Sequence, residues 1–437
     1  SDDQGLAGHD MPGAANTPQP MTWSSASAWR SAEGIPLTPL DDARVHNAYP
    51  MMRIVARNGA AVLAETRIVL PVSDEMDCSA CHASGSGDAA RPGAGWVNDP
   101  DPQLDYRRNI LRLHDQEQLA NPLFVDALAH NGFNPAGLEA TVAGGRAILC
   151  AACHPSNALP GSGLADLTPL TRAVHGLHAG VTDPVSGLAL GSSSLRGACY
   201  RCHPGSTTRC LRGAMGKAIG ADGLPAMQCQ GCHGDMAAVG APSRTGWLDQ
   251  PTCQNCHTGT AVANAGQIRF TSVFTAGGVP RDPVDPLFAT EPNVPAPGFD
   301  LYRFSFGHGG LACEACHGST HAIFPSSHVN DNVQSLQLQG HVGMLAECLT
   351  CHASVSPGLG GPHGLHPLGQ IWVGDHAAYA ESHGTGVCQP CHGGDARGTV
   401  LSASQRAWIA TTDWGARSFF RGAKIGCYEC HNGPNSE

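Results

Sequence analysis

The string CxxCH begins at nine positions in this 437-residue chain: Cys78, Cys150, Cys199, Cys229, Cys253, Cys313, Cys348, Cys388 and Cys427. Its second cysteines are Cys81, Cys153, Cys202, Cys232, Cys256, Cys316, Cys351, Cys391 and Cys430. Its closing histidines are His82, His154, His203, His233, His257, His317, His352, His392 and His431. The motifs use 18 of the 19 cysteines and leave only Cys210 over. A structural zinc site needs four ligands and no histidine directly after each CxxC pair. A thioredoxin-like redox site has one CxxC per domain and no fixed histidine. Here the histidine follows in all nine motifs, although the chain has only 23 histidines. That regularity argues against both and matches the attachment signature of c-type haem.

The spacing has a chemical reason. Two thiols add across the two vinyl groups on neighbouring edges of a porphyrin, and a two-residue spacer lets both reach. The next residue then lies under the iron, where its imidazole becomes the proximal ligand. The expected cofactors are nine covalently attached haem c groups.

Composition suits a chain organised by flat apolar groups. Aromatic residues are 5% and charged residues 14%, while 55 Gly and 32 Pro make up about a fifth of the sequence. Nine motifs leave roughly 49 residues per haem, so the porphyrins supply apolar area that the side chains lack. The expected fold is mostly irregular loop with short α-helices wrapped around a stacked haem array. It is expected to be largely unfolded without haem, because cofactor binding and folding are linked.

The formal charge is −11. Haem propionates would take it to about −20 with ferric and about −29 with ferrous iron, a field that disfavours nucleic acid and anionic membranes. Basic partners, or cationic and mineral electron acceptors, fit that sign better. No apolar run approaches the ~18–20 residues of a membrane span. The chain opens on SDDQGLAGHD with no visible signal peptide, which reads as a mature exported protein. Haem is attached to CxxCH outside the bacterial cytoplasm. An extracellular or cell-surface location is expected, with the periplasm as the alternative.

Spacing along the chain suggests three parts: a haem-free segment over 1–72, haems one to five over 73–260, and a Pro-rich linker with haems six to nine over 261–437. The gaps between motifs run from 24 to 72 residues, which excludes a solenoid of equal repeats. In RIVARNGAAVLAETRIVLPV, apolar stretches flank Asn58-Gly59 and predict a small N-terminal β-hairpin, a rare piece of regular sheet. Short helices are expected over 105–126, 207–219 and 375–382, and loop elsewhere. The stretch Gly277 to Asp300 reads as an extended linker or surface strap. A small or turn-forming residue follows almost every motif histidine, as if the backbone left close beside the porphyrin.

Fourteen histidines remain for the second axial position, and full bis-histidine ligation needs nine of them. His308, His341 and His383 lie five to seven residues before a motif, and His321 follows His317 by four. His175 and His178 are three apart, so one helical face would serve two haems. His114 falls within the expected helix LRLHDQEQL. With His376, and His366 chosen over His363, these make the nine expected distal ligands. His9 is set aside as terminal, while His46, His130 and His328 are reserves. Methionine is the competing ligand, but Met51 and Met52 sit at the hairpin and most others read as packing. Cys210 reads as a buried free thiol, with an intermolecular bridge or a haem contact as open alternatives.

Nine CxxCH motifs with many spare histidines resemble the multihaem c-type cytochromes of bacterial respiratory and extracellular electron transfer. The resemblance spans Cys78 to His431 and leaves the first 72 residues outside. It implies haems stacked in near-contact rows within a mostly irregular polypeptide. It also implies an electron-transfer protein and not an enzyme, with other redox cytochromes or extracellular acceptors as partners. Some members of that group polymerise, so a homopolymeric filament subunit and a discrete carrier are both open. The rival expectation is a multihaem reductase or oxidase of the nitrite, hydroxylamine or tetrathionate class, which needs one iron with a vacant face. Many nitrite-reducing relatives mark that iron with a lysine in place of the motif histidine, whereas every motif here ends in His.

Overall fold

The computed structural model describes residues 20–25, 29–32, 47–70, 76–155, 161–205, 209–217, 219, 225–244, 256, 271–281, 306–307, 311–354, 366–399, 402–404 and 406–434. The chain is mostly irregular, with short helices and four two-stranded ladders. The ladders are β1 (Thr22–Ser24) with β2 (Trp29–Ser31), β3 (Met51–Asn58) with β4 (Ala61–Val69), β5 (Phe306–Gly307) with β6 (Leu311–Ala312), and β7 (Trp408–Thr412) with β8 (Gly415–Phe419). The expected N-terminal hairpin is therefore present as β3–β4. Gly59 leads its turn at φ +58°, a conformation glycine adopts without strain. Sheet is less rare than expected, because β7–β8 forms where the sequence predicts loop.

The main helices are α1 (Pro102–Gln118), α2 (Pro122–His130), α3 (Leu138–Ala143), α4 (Leu170–His178), α5 (Met236–Val239), α6 (Val333–Gln339) and α7 (Gln370–His383). The single helix expected over 105–126 is two. Asp101 caps α1 by accepting from the Gln103 N–H at 2.8 Å, with Pro102 at the first position. Asn121 and Pro122 repeat the device and start α2. A proline is tolerated only at a helix start, so Asn121-Pro122 forces the break. The helix expected over 207–219 is absent among the described residues, where only a single 3₁₀ turn forms at Ala214–Lys217. The helix expected over 375–382 begins earlier, at Gln370. Gln370 clips that start to β7, donating to the Thr411 carbonyl at 2.7 Å and accepting from the Thr411 N–H at 2.8 Å.

Two compact units partition the chain by space and not by sequence order. One comprises Ser1–Met52, Val69–Cys210 and His233–Leu248, and the other Arg53–Ile68, Leu211–Cys232 and Asp249–Glu437. The apolar core of the first unit is small. Phe124, Leu128, Phe133 and Leu138 form one cluster, against which Ala152 and Cys153 of the second motif pack. Leu190, Ala198 and Met236 form another. Each Phe, Leu or Met side chain, where fully buried, contributes about 1.5–3 kcal/mol.

Polar groups do much of the remaining positioning. The buried α1 residue Asp105 accepts from the Ser84 N–H at 2.7 Å and the Asp99 N–H at 2.9 Å. Asn109, one turn on, donates to the His82 carbonyl at 3.0 Å and accepts from the Val97 N–H at 2.8 Å. Together they fasten the chain that leaves the first motif. In the second unit a buried Arg212–Asp331 pair, at 2.6 and 2.8 Å, is bidentate. The backbone N–H groups of Arg212 and Gly213 both donate to the His321 carbonyl at 2.9 Å, which anchors the loop after the sixth motif.

Candidate haem-binding sites

Each described motif closes one helical turn. The closing histidine's N–H donates to the first cysteine's carbonyl at 2.9 Å for His82 and His154, 2.8 Å for His203, 3.0 Å for His352 and 3.1 Å for His431. Five residues in one turn bring cysteines i and i+3 to one side, with the histidine at i+4 beside them. Gly234, Gly318 and Gly393 directly follow their motif histidines at φ +81°, +80° and +86°. Glycine adopts such a positive φ without strain.

Five motif histidines each face a histidine from elsewhere in the chain. Ring centres are 6.3 Å apart for His82 and His178, for His114 and His154, and for His175 and His203. They are 6.3 Å apart for His366 and His392, and 6.0 Å for His376 and His431. The interplanar angles differ widely, from 13° to 78°. Rings in direct contact change their separation as they rotate from stacked to edge-on. A separation held within 0.3 Å at every angle is the one that two rings bound to a common metal ion would keep. With metal–nitrogen bonds of about 2.0 Å and about 1.1 Å from nitrogen to ring centre, two imidazoles on one metal ion stand about 6.2 Å apart.

Ring tautomers agree with that geometry. A carbonyl only accepts, so a ring nitrogen beside one must carry the proton. The Nδ1–H groups of His154 and His178 donate to the Thr168 and Val174 carbonyls at 2.7 and 2.8 Å. Those of His175, His366, His376, His392 and His431 donate to Thr171, Pro367, Val373, Ile425 and Gly433 at 2.6–3.0 Å. Each bond leaves the Nε2 lone pair to ligate a metal ion. Burial, then the facing His178, pulls the His82 imidazole down to about 4. Burial lowers His114 and His392 as well. These rings are therefore neutral near pH 7, the form that binds metal.

The cysteines point the same way. The described motif cysteines form no disulfides. Burial raises the thiols of Cys78, Cys153, Cys202, Cys316, Cys388, Cys427 and Cys430. Cys232 is pushed up to about 12 and Cys256 to about 11, burial being the first cause in both. A zinc site needs thiolates, whereas a thioether is neutral and suffers no such penalty. Among the described residues no cluster of three or more His, Cys, Asp or Glu gathers around a bare metal ion. Apolar residues stand exposed beside the motifs: Leu149 before Cys150, Leu349 after Cys348, and Leu177 between the two α4 histidines. Neutral thiols, paired imidazoles with open Nε2 and uncovered apolar edges fit a covalently held porphyrin.

Tertiary structure brings several motifs close together. In the first unit the Asp77 N–H donates to the Cys202 carbonyl at 2.7 Å, joining the first motif to the third. The Cys202 thiol feels Cys78 and Cys81, and Cys78 feels Cys150. Helix α4 carries both His175 and His178, facing His203 and His82 respectively. In the second unit Cys316 lies near Cys351, Cys427 near Cys388, and Cys232 near Cys256.

Of the nine expected distal ligands, His114, His175, His178, His366 and His376 face motif histidines. His308 lies outside the described residues, as do Cys253 and His257 and the unselected His9, His46 and His363. His321 is partly buried beside Arg212, and burial lowers its imidazole. His341 is engaged in a polar cluster, with Nδ1 3.0 Å from Arg421 and Nε2 3.7 Å from Glu347. His383 is exposed and stacks on Tyr379 at 4.1 Å. Cys210 is half-buried and forms no disulfide. The residues that sequence reasoning missed are the carbonyl acceptors of Thr168, Val174 and Ile425, and Trp372, which lies on the His366 ring. The carbonyls carry no side-chain signal. No described helix is long and apolar enough to cross a membrane. Compared with known protein families, curated proteins and solved structures, the chain matches none.

Proposed function

We propose that the chain is a multihaem c-type cytochrome that carries electrons along nine covalently attached, bis-histidine haems. The observation that carries this reading is the near-constant 6.0–6.3 Å separation of five motif and non-motif histidine pairs. Bound haem would supply one-electron iron redox chemistry.

The chain's own residues set the conditions for it. Cys78 and Cys81, and their counterparts in each motif, would hold the porphyrin edge, while the closing histidine takes one axial side. His178, His114, His175, His366 and His376 take the other, each oriented by its own helix or by a backbone bond. With both axial sides so taken, these five positions would offer a substrate no open coordination site, as electron transfer requires. The close approach of motifs one, two and three, and of motifs eight and nine, supports short edge-to-edge steps within each unit. Attachment at CxxCH further supports export from the cytoplasm, with redox proteins or extracellular acceptors as partners.

Intact mass of protein purified from a host with haem-attachment machinery tests the reading directly. Nine haem additions with a low-spin optical spectrum are expected. An unmodified mass from that host would overturn it.

A further inference from the structure

The five facing pairs are not alike. His82/His178 and His114/His154 stand crossed, at 76° and 78°. His175/His203, His366/His392 and His376/His431 lie near parallel, at 13°, 29° and 22°. A second, independent feature follows the same division. In each crossed pair one ring is anchored through Nδ1 and the other is not. Nδ1 of His82 and Nδ1 of His114 are closed off from solvent and have no hydrogen-bond partner. In the two parallel pairs of the second unit all four rings are anchored, His366 to Pro367, His392 to Ile425, His376 to Val373 and His431 to Gly433.

We propose that the crossed pairs at His82 and His114 hold their haem irons at more positive potentials than the parallel pairs at His392 and His431, so that electrons settle on the first two motifs before the last two. This rests on the haem reading above. An Nδ1–H that donates to a carbonyl gives its ring imidazolate character and makes Nε2 a stronger donor to ferric iron. A ring without that bond is a weaker donor, and the ferric state loses stabilisation. Ring orientation acts in the same direction. Parallel rings donate into one iron d orbital and stabilise the ferric hole there, whereas crossed rings donate into two and leave them nearly degenerate. The Asp115 carboxylate lies near His114 and favours the ferric charge. The Asp77 carboxylate stands likewise beside Cys78 of the first motif, so both crossed sites carry a nearby negative charge.

The test is potentiometric EPR on the full-length protein, after its mass has shown haem to be present. Crossed imidazoles give a strongly anisotropic low-spin signal with a single low-field feature, and parallel imidazoles give a three-line rhombic signal. His178→Met and His114→Met are each expected to remove one iron's worth of the anisotropic signal. His376→Met and His366→Met should each remove one iron's worth of the rhombic signal. In wild-type-minus-variant titrations the anisotropic components should be reduced at the higher potentials. Two variants in each class keep the comparison available where one fails to assemble. Loss of rhombic signal from His178→Met and His114→Met, or reduction of the rhombic components first, overturns the proposal and leaves the haem reading standing. A protein without haem removes both.

Discussion

Trp372 lies flat on His366, with ring centres 4.5 Å apart and planes 8° apart. His366 also faces His392, so the indole lies against an imidazole that itself faces a motif histidine. Its own place is set by Tyr379, two turns along α7, at 5.4 Å and 63°. Such a stack is worth about 0.5–1.5 kcal/mol beyond the area it buries. Trp372 is thus a positioning residue for His366. Trp372→Leu should alter the EPR signature of one rhombic iron and lower its potential homogeneity, while Trp372→Phe restores most of the native signal. An unchanged signature in the leucine variant would show that the ring is held by the Pro367 carbonyl alone.

Helix α4 sits on a backbone-to-backbone contact. A Cβ placed on Gly240 would stand 2.4 Å from the Gly176 nitrogen and 2.9 Å from the His175 carbonyl carbon. Gly240→Ala therefore has to displace the helix that carries both His175 and His178. We expect a loss of about 1–3 kcal/mol, together with simultaneous disturbance of two iron signals. Ala237→Ser, on the exposed side of α5, should leave both intact. Disturbance of only one signal would argue against α4 moving as a unit.

Asp115 caps α3 from a distance. Its two carboxylate oxygens accept from the Leu138 and Glu139 N–H groups at 2.8 and 2.9 Å. Asp115→Ala leaves both donors without an acceptor and should cost about 2–3 kcal/mol. Asp115→Asn keeps one acceptor and should cost less. Denaturant midpoints of the two holoproteins rank them, and equal midpoints would contradict the cap.

Acid should weaken the first unit through Asp183. Burial alone pushes its carboxyl up, but bonds from Ser186 and from Arg201 at 3.0 Å outweigh it, and the net direction is down. A folded value below the unfolded one means the stabilisation is complete above the ordinary carboxylate range near pH 4. It is lost as pH falls through the folded value. Unfolding midpoints measured from about pH 5 to about pH 2 should fall more steeply for wild type than for Asp183→Asn. Parallel slopes would remove Asp183 from the account.

Cys153 belongs at once to the second motif and to the Phe124–Leu128 cluster. Replacing Cys150 and Cys153 by alanine should lower the mass by one haem and open that cluster to protease, with faster cleavage near α2. Protection equal to wild type would mean that the cluster is complete without the group its motif holds.

Local chemistry was legible in the residues alone. CxxCH places two thiols and an imidazole within one helical turn, so the candidate attachment sites depend on five consecutive residues and on nothing distant. The β3–β4 hairpin was legible for the same reason, through Asn58-Gly59. The break between α1 and α2 was also written locally, in Asn121-Pro122, a cap-and-proline signal that the single helix expected over 105–126 runs across. The facing partner of His82 is of another kind. His178 lies 96 residues away and reaches it because α4 packs through Gly176 against Gly240. The spacing of His175 and His178 announced one helix serving two sites, but not which two. The ring angles, the carbonyls that hold Nδ1 and the unanchored rings of His82 and His114 have no sequence signal, because each is set by backbone brought in from elsewhere. Residue identity determined which atoms are available to hold the proposed haems, since covalent reach and donor type are local. Tertiary structure alone decided which histidine faces which, and at what angle, since those depend on how distant segments pack.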